Sequence, residues 1–110
     1  MWCTAAVSTE YELGRAVASR ELVFTAADGT RVPVLVEVGA PSRDPEGPDW
    51  YCPYRITGHP GIADRVTAIF GIDSLQALQL ALTCLPDELS DAAGLTFLGG
   101  TDLMLGSGGS

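Results

Sequence analysis

The stretch RELVFTAADGTRVPVLVEV, residues 20–38, puts Leu22, Phe24, Val32, Val34, Val36 and Val38 on even-numbered positions and Glu21, Thr25, Arg31, Pro33 and Glu37 on odd ones. Alternation with a period of two marks a strand with one buried face. The pattern is broken by Ala27-Asp28-Gly29, so the segment predicts a hairpin. A two-residue turn at Asp28-Gly29 would set Leu22 and Phe24 against Pro33 and Leu35 and lose the valine row. A three-residue loop with Gly29 in the left-handed conformation of a G1 bulge faces Phe24 with Val32 and Leu22 with Val34, and gives Gly29 a backbone reason to be glycine.

Downstream, Gly39 to Asp49 (GAPSRDPEGPD) is rich in proline, glycine and charge, which predicts an exposed connection outside any ladder. Trp50, Cys52, Tyr54 and Ile56 then alternate with Tyr51, Pro53, Arg55 and Thr57 in a third strand. Its Pro53 lacks a ladder donor and suggests a sheet edge or bulge. After the turn signal Gly58-His59-Pro60-Gly61, Val66, Ala68 and Phe70 place the same even face of a fourth strand in the core. Asp73 or Ser74 caps a helix whose stripe is Leu75, Leu78, Leu82 and Leu85, with Pro86 as its stop. Leu95 to Leu98 reads as a last short strand. The N-terminal residues 1–14 show neither period and read as an arm or a strand. The expected fold is α+β: an antiparallel β-meander of about four to five strands with one long helix on its apolar face.

Length and composition bound the function. A chain of 110 residues with 46% hydrophobic content predicts one domain over residues 1–105, and the GSGGS at 106–110 reads as a flexible tail or a remnant of expression. Six basic residues against fourteen acidic give a net charge of -8. That balance opposes binding to nucleic acid, whose affinity rests on Lys and Arg, and points to a basic protein partner. No apolar run reaches the roughly 18 residues of a membrane span or forms a signal-peptide core, so no membrane role and a cytoplasmic location are expected. Cys3, Cys52 and Cys84 are odd in number and widely spaced, which predicts reduced, buried thiols.

The chemistry-bearing motifs each have a plain alternative. GIDSLQAL, residues 71–78, resembles the attachment motif of acyl and peptidyl carrier proteins, which would make Ser74 the phosphopantetheine site. The preferred reading keeps Asp73 and Ser74 as helix caps, because the chain upstream is strand-like. His59, the sole histidine, would have to meet Ser74, Cys52 or Cys84 to support catalysis, and in its turn it reads as a solvent-exposed side chain. Cys52, His59 and Cys84 lack metal-ligand spacing, and Asp44, Glu46 and Asp49 follow no calcium-loop pattern. Neither a metal nor a cofactor is expected. Between Ser74 and Pro86 the helix carries no charge, and Gln76, Gln79 and Thr83 form its only polar strip, a candidate binding or homodimer surface. Tyr51 and Arg55 face away from the core and form a second candidate.

WYCPYRITG, residues 50–58, together with GIDSLQALQLAL, residues 71–82, resembles a family of small bacterial domains of unknown function, domain of unknown function 6968, over roughly Arg20 to Gly99. The resemblance implies a bacterial source and a hairpin, strand and helix in that order, and it implies no activity. The sequence therefore points to a non-enzymatic protein-binding module, of which an immunity or toxin-neutralising protein is one version. A carrier modified on Ser74 and an enzyme using His59 are the alternatives.

Overall fold

The hairpin forms as its alternation requires. In the computed structural model, which describes residues 5–7, 11–45, 47–62, 64–90, 92, 94–98 and 100, a first short strand, β1 (Ala5–Val7), precedes the hairpin strands β2 (Ala16–Thr25) and β3 (Arg31–Gly39). Leu22 pairs with Val34 and Phe24 with Val32. The loop is closed by the Ala26 N–H, which donates to the Thr30 carbonyl at 2.8 Å, and Gly29 takes a φ of +89°. The remaining elements are β4 (Ser42–Arg43), β5 (Trp50–Thr57), β6 (Thr67–Gly71), α1 (Ser74–Ser90) and β7 (Leu95–Thr96). All strand pairs are antiparallel, in the order β1-β6-β5-β3-β2-β7, with β4 joined to β5. The run β2-β3-β5-β6 is the expected meander, and α1 lies across β5 and β6 on its apolar face. The tail at 106–110 and Cys3 lie outside the described residues.

Four local expectations change. The Gly39–Asp49 connection does enter a ladder, because Ser42 and Arg43 keep their backbone donors between the prolines and pair with Tyr51 and Trp50. Pro53 is not at an edge. β5 is central, but β3 accompanies it only to the Val38–Tyr54 pair, so the ring without an N–H sits where that ladder has ended.

The third change is the face of β6. Cys52 opposes Ile69 and Tyr54 opposes Thr67, so the core side carries the odd residues of this strand, and Ala68 and Phe70 turn to the other face. Both Ala68 and Ile69 are fully enclosed. Where neither face meets solvent, polarity carries no register information, and pairing alone decides which face is which.

The fourth change concerns the helix. Its buried stripe is Ala77, Ala81, Cys84, Leu85 and Leu89, while Leu75 and Leu82 face outward. Gly71 explains the choice: a Cβ there would sit 2.5 Å from the Ala77 nitrogen and 2.9 Å from its Cα. The first turn of α1 rests directly on β6, a separation that only small side chains fit. Pro86 lies inside the helix. It removes one N–H and leaves the Leu82 carbonyl on the solvent side without its helical partner, a defect of about 3 kcal/mol in an isolated helix. Enclosing the Leu89 side chain recovers about 2 kcal/mol. A hydrogen bond from the Tyr54 hydroxyl to Glu88 Oε1 at 2.5 Å adds a further contact across the same turn.

The N-terminus of α1 is capped as expected. Asp73 Oδ1 accepts from the Gln76 N–H at 2.8 Å, and Gln76 Oε1 accepts from the Ile72 N–H at 2.8 Å. Asp73→Ala should lower the unfolding free energy by about 1 kcal/mol, with Asp73→Ser recovering most of it; equal urea midpoints for the three proteins would contradict the cap.

Candidate functional site

The five candidate binding residues do not form one surface. Gln76, Gln79 and Thr83 lie on the helix, over one side of the sheet, whereas Tyr51 and Arg55 lie on the other side. On the helix, Gln76 and Gln79 are exposed and Thr83 is partly so, while Gln76 also caps Ile72 and Thr83 Oγ1 donates to the Gln79 carbonyl at 2.9 Å. Large apolar side chains project as well. Ile72 is 74% exposed, Leu75 61% and Leu82 48%, with Leu75 and Leu82 two turns apart on one side of α1. The sequence reading assigns Leu75 and Leu82 to the core. An equally regular stripe, Ala77, Ala81, Cys84 and Leu85, was available at the same spacing, and its smaller side chains were the missed signal.

On the opposite side Tyr51 packs edge-on to Tyr11, with ring centres 4.7 Å apart, and Tyr11 reaches Phe70 at 5.6 Å. Arg55 Nη2 lies 3.0 Å from Glu37 Oε1, while Arg55 Nε is buried with no acceptor. Beside this pair an open hollow of about 570 Å³ is walled by Tyr11, Glu12, Leu13, Glu37, Arg55, Asp64 and Arg65. Its charges are mixed and Glu37 already engages the central guanidinium, so it holds no concentrated field of either sign.

The residues singled out for catalysis serve the fold. His59 is buried rather than exposed, at 8%: its Nδ1 accepts from the Gly61 N–H at 2.9 Å, and its ring meets Phe24 edge-on at 4.6 Å. Ser74 opens the helix on a sheet-based fold, not the helical bundle of carrier proteins. Asp44 accepts from the Tyr11 hydroxyl at 3.0 Å. Among the described residues no three His, Cys, Asp or Glu side chains gather as metal ligands. No helix among them is long and apolar enough to cross a membrane.

Two interior groups have displaced titrations. Burial, together with Glu88, pushes the Tyr54 phenol well above its ordinary range. Burial also pushes the Cys52 thiol up to about 11, where its Sγ donates to the Gly39 carbonyl at 3.5 Å. Cys84 is disulfide-bonded, a correction to the expectation of reduced thiols. Spacing gives no pairing signal for so few cysteines, and only folding brings distant sulfurs within reach. In native protein at pH 8, Cys52 should react with an aromatic disulfide reagent at least tenfold more slowly than after denaturation, and the Cys84 peptide should take up label only after reduction. Prompt native labelling of either would refute the assignment.

Residues 18–101 match a family described as a domain of unknown function, DUF6968. The chain belongs to this family. No curated protein and no solved structure matches it. In this DUF6968 domain the matched span takes in β3, β5, β6, α1 and nearly all of β2, hence the whole of the Ile72, Leu75 and Leu82 surface. It leaves out Tyr11, Glu12 and Leu13, which wall the hollow on the opposite side. The helix surface is therefore built entirely from family positions, and the hollow is not.

Proposed function

We propose that this DUF6968 domain is a non-enzymatic protein-binding module that receives its partner on the outer side of α1. The supporting observation is the exposure of Leu75 and Leu82 on a helix whose first three turns carry no charge, with Ile72 exposed just before its start. Large apolar side chains grouped on the surface of a small acidic domain cost solubility, and covering them by a partner returns that cost. The net charge of -8 favours a basic partner, drawn in by long-range attraction and seated by apolar contact. Neutralisation of a basic toxin is one concrete form of this role.

The test uses tethered domain and lysate of the source organism. Wild type should retain a basic protein in stoichiometric amount, and the Ile72→Glu, Leu75→Glu double variant should lose it while keeping its circular dichroism spectrum. Retention by both proteins, or by neither, would overturn the proposal.

A further inference from the structure

Cys84 sits on the inner side of α1, enclosed in the same core as Ile69 of β6, and its sulfur is engaged in a disulfide. The sequence holds three cysteines, and Cys52 keeps a free thiol that donates to the Gly39 carbonyl. Elimination leaves Cys3. Its place in the chain suits the bond. β1 pairs antiparallel with β6 on the side away from β5, with Ala5 opposite Ile69. Cys3 stands two residues before Ala5, roughly 7 Å of extended chain. Ile69 lies on the face that α1 covers, and a step of two residues returns an extended chain to the same face. A tie at this point also has a purpose. β1 is three residues long, Ala-Ala-Val, and pairs with β6 at three positions. Terminal segments this short stay on a sheet only where something holds them. The family match begins at residue 18, so β1 and Cys3 lie outside the family positions, whereas Cys84 falls within them.

We infer that Cys84 is bonded to Cys3, and that this bond is a redox-operated clasp which fastens β1 to the edge of β6 when oxidised and releases it when reduced. The ring it closes takes in every strand from β1 to β6, so opening it frees the N-terminal segment without breaking a ladder of the β2-β3-β5-β6 meander. A dithiol reductant operates the clasp. One of its thiolates attacks a sulfur of the bond and the S–S bond breaks. Closure of the reductant to its own cyclic disulfide then expels the mixed-disulfide sulfur, so two electrons and two protons pass to the protein as two thiols. Oxidised glutathione runs the exchange in reverse. The clasp uses the inner side of α1 and none of Ile72, Leu75 and Leu82, and stands independently of the proposed partner site.

Peptide mapping and hydrogen exchange of the full chain test the inference. Trypsin cuts this lysine-free chain after its six arginines and puts the three cysteines in separate peptides, 1–15, 44–55 and 66–110. After equilibration with oxidised glutathione and alkylation of free thiols, peptide 1–15 should be joined to 66–110, with 44–55 alkylated. Peptide 66–110 joined to 44–55, to a second 66–110 or to neither overturns the inference. In the oxidised protein the β1 amides bonded to β6 should resist exchange. Dithiothreitol should speed their exchange at least tenfold, and so should Cys3→Ser without any reductant, while the β2–β3 hairpin amides change less than twofold. Cys3→Ser is the variant of choice because Cys84 is enclosed in the core, where replacement would disturb packing. Equal protection of β1 with and without the bond would overturn the clasp. So would loosening of the hairpin to the same extent as β1, because the bond would then hold the whole fold rather than its first strand.

Discussion

Leu89→Ala should lower the unfolding free energy by about 3 kcal/mol, within the range for a large side chain deleted from a closed core. Leu89 is almost fully enclosed, in the last turn of α1 beyond Pro86, and packs in the same core as Leu22, Ile56 and Ile69. The cavity left behind has little means of collapse, since the sheet beneath it is held by ladders on both sides of β5. A helix that stopped at Pro86 would leave Leu89 in a polar turn, and its truncation would cost only a few tenths of a kcal/mol. Urea unfolding of the two proteins separates these cases: a midpoint shift under a third of that expected would mean that the turn beyond Pro86 does not pack.

Gly71→Ala should be destabilising by a similar amount, about 3 kcal/mol, and Gly71→Val by more. The added Cβ meets backbone, the Ala77 nitrogen and Cα, which cannot rotate aside as a side-chain end can. Relief requires the helix to lift from β6, which would open the contact that Ala77 and Ala81 make with the sheet. Both variants should therefore lose cooperativity in thermal melting as well as midpoint. An alanine variant as stable as the parent would show that the helix stands farther from the strand than Gly71 implies. Gly29→Ala is the useful contrast: there φ is +89° but the space around the missing Cβ is empty, so the cost is backbone strain alone, about 1 kcal/mol.

The candidate surfaces were legible in part. The charge-free helix drew attention to the polar strip of α1; Gln76 and Gln79 are exposed there, and Leu75 and Leu82, read from the sequence as core, are exposed as well. Single-sequence periodicity finds an apolar stripe but cannot rank two stripes on one helix. The ranking depends on the separation of helix and strand, which Gly71 sets from outside the helix. Tyr51 and Arg55 were placed on the correct side of the sheet, yet Tyr11 and Glu37 engage them, and Tyr11 sits in a segment with no readable period.

The sequence by itself determined the hairpin, its three-residue loop and its register, because one face of β2 and β3 is apolar and the turn chemistry admits a single pairing. It also determined the α+β class and the capped start of α1, for which the needed residues are neighbours in the chain. The tertiary structure decided the rest: the face that β6 turns inward, the stripe that α1 buries, the passage of the helix through Pro86 and the bonding of Cys84. Each of these depends on what packs against an element from far away in the chain. When a strand is covered on both faces, or a helix is apolar nearly all round, local polarity no longer distinguishes inside from outside, and the distance between layers makes the choice.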